Sequence, residues 1–396
     1  RRLGKNPVYY GLQGTTQQHL GEHLSDIVET VLGDLDESKM IELNEETGEF
    51  GGLNLGFIGS NYYLAYSTVE LIASSVTAKT KTRGILEIVS AASEFAVLNM
   101  RQGEERTLKI LSRGLPYIGK DVVWNDPNSK ALVLLQAYFD RKPMNPDLKL
   151  DCDLVVSAAV KIIQACVDVI ATNYHLKAAV AAMEVSQQVV QGRWKKDDVL
   201  LQIPHFTDEL VKKAKARGVN SPFDVLEVED EVREDLLSDF GEDSVEMSEI
   251  AAFCNSFPSV EVGYEVVEAD DVTTGDPFRV SVKLQRDADD DEEEEEEEED
   301  GDEEKGVVVS KRFPAKKIEG YWVCLGDPKT DKLYAVKRCE LRDEKKLNLD
   351  AFAPEEAGEY ELKLYVISDS YQGVDQEFDV KIKVEEGEEE SEEEED

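Results

Sequence analysis

One stretch limits what this chain can fold into more than any other. Val155, Ala159, Ile162, Cys166 and Val169 step by four and three residues, and Val156, Val160, Ile163, Val167 and Ile170 repeat that spacing one position along. These are two apolar stripes on a single helix. Lys161, Gln164 and Asp168 are the polar interruptions, so the helix needs cover on two sides and belongs at the centre of a bundle.

The surroundings agree. A second helix, about 177–194, is alanine-rich and carries Met183, Val185, Val189 and Val190. Asn125-Asp126-Pro127 and Pro143-Met144-Asn145-Pro146 mark helix boundaries. Residues 53–199 therefore read as one helical bundle. Across 200–256 the helices shorten. Thr207 is suited to cap a helix from Asp208 to Ala216, Gly218 signals its end, and Ser221-Pro222 opens the next. Two short helices about a glycine turn suggest a helix-hairpin-helix-like unit.

From Phe257 the period changes to two. Val260, Val262, Tyr264 and Val266 alternate with polar residues, as do Phe278, Val280, Val282 and Leu284. Shorter runs at 323–325, 334–336 and 347–349, then Tyr360 to Val366 and Phe378 to Val384, bring the expected total to about seven strands. Thr274-Gly275-Asp276-Pro277, Gly326-Asp327-Pro328 and Glu356-Ala357-Gly358 supply turns. This pattern predicts an immunoglobulin-like or fibronectin type III-like β-sandwich over 257–384.

Residues 1–52 hold an amphipathic pattern (His19, Leu20, His23, Leu24, Ile27, Val28, Val31, Leu32, Leu35), with Thr15 or Thr16 as its cap. A short hairpin turns at 44–48. Helix plus hairpin is the C-terminal part of a winged helix, whose other half is expected upstream.

Charge enters where function is asked. The chain has 396 residues, 86 acidic and 44 basic, a net charge of −42. An insert at 287–305, whose carboxylates lie within 287–304, and a tail at 385–396 hold 26 of the carboxylates, and without those carboxylates the net charge is −16. Self-repulsion predicts that the insert is disordered. So acidic a chain excludes broad phosphate-backbone binding, leaving RNA contact weak, local or indirect. No uninterrupted apolar run reaches the 18 residues of a membrane span, so no membrane is expected. The five scattered cysteines read as small buried hydrophobes of a reducing compartment.

Candidate chemistry is sparse. His19, Glu22 and His23 spell H-x-x-E-H, and both imidazoles share one helix face as two zinc ligands must. They also lie on the apolar stripe, and a third ligand is wanting, so packing is preferred to metal. There is no phosphate-binding loop, nucleophile elbow or cysteine–histidine cluster, and we expect no catalytic, cofactor-binding or metal residue. A local basic patch, Lys212, Lys213, Lys215 and Arg217, could touch nucleic-acid phosphates. Alternatively it is a solvated face whose cations favour the helix C-terminus. Lys311-Arg312 and Lys316-Lys317 are read as offsetting the acidic insert.

The order winged-helix remnant, helical bundle, short helical hairpin and β-sandwich resembles the Sec sixty-three homology module of Ski-two-like RNA helicases, in its spliceosomal form. The resemblance runs through Asn6-Pro7-Val8-Tyr9-Tyr10, Leu12-Gln13-Gly14-Thr15-Thr16, Leu53-Asn54-Leu55-Gly56, Leu134-Leu135-Gln136-Ala137, Ile163-Gln164-Ala165-Cys166, Leu201-Gln202-Ile203-Pro204-His205-Phe206, Gly320-Tyr321-Trp322-Val323, and Ser368-Asp369-Ser370-Tyr371 with Asp375-Gln376-Glu377. It implies a nuclear, non-catalytic module of a C-terminal helicase cassette. Such a module would serve as an interaction and regulatory platform in splicing, where U-four/U-six unwinding activates the spliceosome. Its implied partners are spliceosomal proteins and the helicase's own motor domains, with ATP and magnesium confined to motors upstream. It also implies a ratchet-like helix carrying Met183, Gln187, Gln188, Gln191 and Trp194. Two rivals share the module: a translocation component of the endoplasmic reticulum, and an active helicase cassette.

Overall fold

A computed structural model describes residues 2–12, 14–44, 46–120, 122–241, 244–267, 272–286 and 306–386. The acidic insert and nearly all of the tail lie outside the described residues.

The chain opens with α1 (Arg2–Lys5) and α2 (Gln17–Glu37), followed by a hairpin of β1 (Ile41–Leu43) and β2 (Phe50–Gly52). Thr16 caps α2, its side chain accepting from the His19 amide. The bundle comprises α3 (Asn54–Tyr62), α4 (Tyr66–Ser75), α5 (Thr82–Ser90), α6 (Glu104–Leu111), α7 (Pro127–Phe139), α8 (Pro146–Thr172) and α9 (Leu176–Gln191). Asp126 and Asn145 cap α7 and α8, each followed by proline in the first turn, where its missing N–H costs nothing.

Both stripes of α8 are buried. α3, α4, α5, α7 and α9 all pack on it, which is why the segment tolerates so few polar residues. By length and composition alone α8 could cross a membrane; two thirds of its apolar stretch is buried inside the protein, which accounts for the apolarity. Asp168 accepts a hydrogen bond from the Tyr62 hydroxyl at 2.8 Å, and burial raises that carboxyl above its ordinary range. α9 stops at Gln191 because Gly192 turns left-handed (φ 59°), so Trp194 stands beyond the helix expected to carry it.

Four short helices follow: α10 (Asp208–Lys215), α11 (Pro222–Glu227), α12 (Asp230–Leu236) and α13 (Val245–Ser256). Thr207 caps α10, and Ser221 with Asp224 forms a reciprocal capping box on α11. Phe206, Leu210, Val225, Leu236, Ile250 and Phe253 share their core with Tyr371 from the β region.

The β region holds β3 (Val260–Val267), β4 (Pro277–Arg286), β5 (Gly320–Asp327), β6 (Lys332–Glu340), β7 (Glu344–Phe352), β8 (Gly358–Ser368) and β9 (Gln376–Val384). They form two antiparallel sheets, β3-β4-β7 and β6-β5-β8-β9. Val280, Val282 and Leu349 of the first meet Tyr321, Val323, Leu364 and Val380 of the second in one core. β5 departs from alternation, because every one of its residues is buried. Tyr321, Val323 and Leu325 face the other sheet, while Trp322 and Cys324 belong to the bundle core. The four-stranded sheet is thus clamped between sheet and helices.

Candidate functional site

The bundle, the short helices and the sheets meet at the loop between β8 and β9, and α9 faces it. Ser186 donates its hydroxyl to the Asp369 carbonyl at 2.9 Å. Gln187 Nε2 donates to the Ser368 carbonyl and to both Asp375 oxygens at 2.8–3.0 Å. Gln191 Nε2 donates to the Ser370 carbonyl at 2.9 Å. The Gln202 side-chain amide pairs with the Gln372 backbone in both directions at 2.9 Å, its Nε2 donating to the Gln372 carbonyl and its Oε1 accepting from the Gln372 amide. The Tyr371 hydroxyl accepts from the Val309 amide at 2.7 Å. Backbone that would otherwise be buried without partners is satisfied by glutamine side chains one or more turns apart on α9.

Charge is concentrated beside this loop. The fully buried Asp369 carboxylate accepts from Lys317 Nζ at 2.6 Å, Arg338 Nη2 at 2.6 Å and the Gly320 amide at 3.1 Å. Burial would raise it, but Lys317 and Arg338 outweigh burial and hold it below the ordinary carboxylate range. Asp375 goes the other way: desolvation raises it to about 6 despite the Gln187 hydrogen bonds. A second ionic centre lies in the bundle, where Lys130 Nζ sits 2.8 Å from Glu104 and 2.7 Å from Asp151, and Arg101 pairs with the same two carboxylates.

Placed on this frame, the residues singled out from sequence separate. Met183, Gln187, Gln188, Gln191 and Trp194 are all buried. Gln188 accepts from the Lys195 amide, and Trp194 Nε1 donates to Asp140 at 2.6 Å. Gln187 and Gln191 thus bond the β8–β9 loop, and Gln191 also lines a cavity. In the basic patch, Lys213 and Arg217 pair with Asp235, and Lys215 with Asp198. Lys212 is exposed. Three of the four cations of the patch thus have a carboxylate partner. His19 and His23 remain on α2, and no group of metal-binding side chains occurs among the described residues. None of the residues of the α2 stripe is fully buried, and Leu24, Ile27, Val28 and Val31 stand about half exposed. Four cysteines are buried, and burial pushes the thiols of Cys152, Cys166, Cys254 and Cys324 up to about 12.

The sequence reading gave no role to the Asp369 and Asp375 carboxylates, although Ser368-Asp369-Ser370-Tyr371 was among the recognised stretches. The available signal was two aspartates in a short strand-to-strand connection that contains no Lys or Arg.

The family model for the Sec63 Brl domain matches residues 52–381, and one for a winged helix-turn-helix domain matches residues 1–45. The chain belongs to the Sec63 Brl domain family. Its relatives include the U5 small nuclear ribonucleoprotein 200 kDa helicases of Drosophila melanogaster, 42% identical over 389 residues, and Homo sapiens, 40% over 391. Pre-mRNA-splicing factor brr2 of Schizosaccharomyces pombe is 34% identical over 384. These matches cover 97%, 99% and 97% of this chain, and the chain spans 17% of each relative's length. The Brl module and the winged-helix segment before it are thus those of a splicing-helicase relative.

Proposed function

We propose that this chain acts as the non-catalytic C-terminal module of a spliceosomal RNA helicase, a protein-interaction and regulatory platform in pre-mRNA splicing within the nucleus. The observation that carries the reading is the near end-to-end match to one sixth of proteins whose names are those of splicing helicases. On this reading ATP and magnesium are handled by motor domains, and spliceosomal proteins together with those motors are its partners. RNA contact is weak or indirect, in keeping with the paired state of Lys213, Lys215 and Arg217. We further propose the divisions 1–52, 53–199, 200–256 and 257–384, with a helix-hairpin-helix-like third unit and an immunoglobulin or fibronectin type III-like fourth.

The test is affinity capture from nuclear extract with the tagged chain, read by mass spectrometry, beside an ATPase assay of the purified protein. Enrichment of splicing proteins without ATP turnover is expected. Recovery of translocation components, or measurable ATP hydrolysis by the chain alone, refutes the proposal.

A further inference from the structure

A cavity of about 660 Å³ opens where the end of α7, the start of α8, the segment before α10 and the 310–312 loop converge. Its volume is that of a small-molecule site. Arg141, Lys142, Lys149, Lys311 and Arg312 line it, and none of the described side chains lining it is a carboxylate. In a chain with almost two acids for every base, five cations gathered from three segments around one hollow run against the composition.

The floor is unfinished. Tyr138 is 3% exposed and its hydroxyl has no hydrogen-bond partner. Arg141 Nε is likewise buried without a partner, and its Nη2 makes one long bond, 3.4 Å, to the Gln191 carbonyl. A desolvated guanidinium lacking an anion is costly, and one donor left unmade adds to that. Burial first, and the neighbouring charges of Arg193 and Arg312 after it, lower Arg141 to about 10. Some of the lining residues already have carboxylate partners. Lys149 pairs with Asp153, and Lys311 and His205 share Glu249, each at 2.5 Å. Lys142 is tied to the Leu111 and Arg113 carbonyls and lies 3.9 Å from Asp140. Arg312 is exposed and has no ion pair among the described residues.

We infer that this cavity binds a small soluble anion carrying two or more phosphate groups. Convergent fork-like and point donors suit phosphate oxygens. A small ligand is favoured over a nucleic-acid strand by the rest of the surface: a polymer reaching beyond the cavity meets the field of a strongly acidic protein, whereas a compact anion stays among the cations.

The experiment is calorimetric titration of the 396-residue chain with sodium tripolyphosphate at physiological salt, with a single-stranded RNA decamer as the second ligand. Saturable one-to-one binding of tripolyphosphate is expected. R141M and the exposed-site variant R312E should each weaken it at least tenfold, and K212A should leave it unchanged. R312E keeps the test decisive if R141M fails to fold. Three results overturn the inference: no binding at millimolar tripolyphosphate, affinity indifferent to R312E, or a decamer that binds tighter than tripolyphosphate and loses that affinity in R312E.

Discussion

Lys130 offers the sharpest test of how the bundle is held. Its side chain is fully buried on α7 and its ammonium donates to the Asn99 carbonyl, Glu104 of α6 and Asp151 of α8. With Arg101 the group is neutral, two cations against two carboxylates that are 6% and 8% exposed. Lys130→Met keeps most of the volume and leaves one negative charge uncompensated. Breaking a buried pair from one side costs about 3–5 kcal/mol. With a denaturant slope of about 3 kcal/mol per molar in urea, the midpoint should fall by about 1–2 M. Equilibrium unfolding followed by fluorescence of Trp124 and Trp194 measures it. The double variant Lys130→Met with Glu104→Gln restores neutrality, so it should be more stable than the two single losses summed, by about 2 kcal/mol. A single variant within about 1 kcal/mol of the parent, or a coupling near zero, refutes the reasoning. Burial alone would raise Asp151, yet hydrogen bonds from Arg101 and Lys130 hold it below its usual range. Its contribution is therefore present above the unfolded carboxylate pKa and lost as pH falls through the lowered folded value.

The two aspartates of the β8–β9 loop should behave oppositely. Asp369 is depressed, so it stabilises above the unfolded pKa near 3.8 and that gain disappears on acidification. Asp375 is raised to about 6, so the folded state holds its proton longer and stability falls as pH climbs from about 4 to 6. Solvent reaches the Asp375 residue, and screening reduces the loss to about 1 kcal/mol. Asp375→Asn should flatten that decline in stability measured across the range; an unchanged slope contradicts the assignment. At Gly192, the left-handed φ and a would-be Cβ 2.9 Å from the Tyr138 ring predict that Gly192→Ala lowers stability by about 1–3 kcal/mol. Thermal denaturation checks this, and a neutral substitution argues against the close approach.

Local signals were readable wherever the cause was local. Asp126, Asn145, Thr207 and Ser221 cap helices through their own side chains within three residues, so their positions follow from spacing alone. The alternating strands on either side of the sheet core were equally plain. β5 was read only as Val323-Leu325 because alternation vanishes when both faces are covered, and covering depends on the bundle. The glutamines of α9 carried the same ambiguity: polar residues on a helix face look alike whether water or a buried loop receives their hydrogen bonds.

Hydrophobic period and capping chemistry, which act over a few residues, determined the succession of helices and strands and the central place of α8. What the chain does with its charges was decided in three dimensions. Arg141 and Lys149 are distant in sequence from Arg312, and the three line one cavity only in the folded chain. Lys213, Lys215 and Arg217, adjacent and apparently available, are neutralised by Asp235 and Asp198 brought up by the fold. Coulomb interactions follow distance and dielectric, and neither is written along the chain.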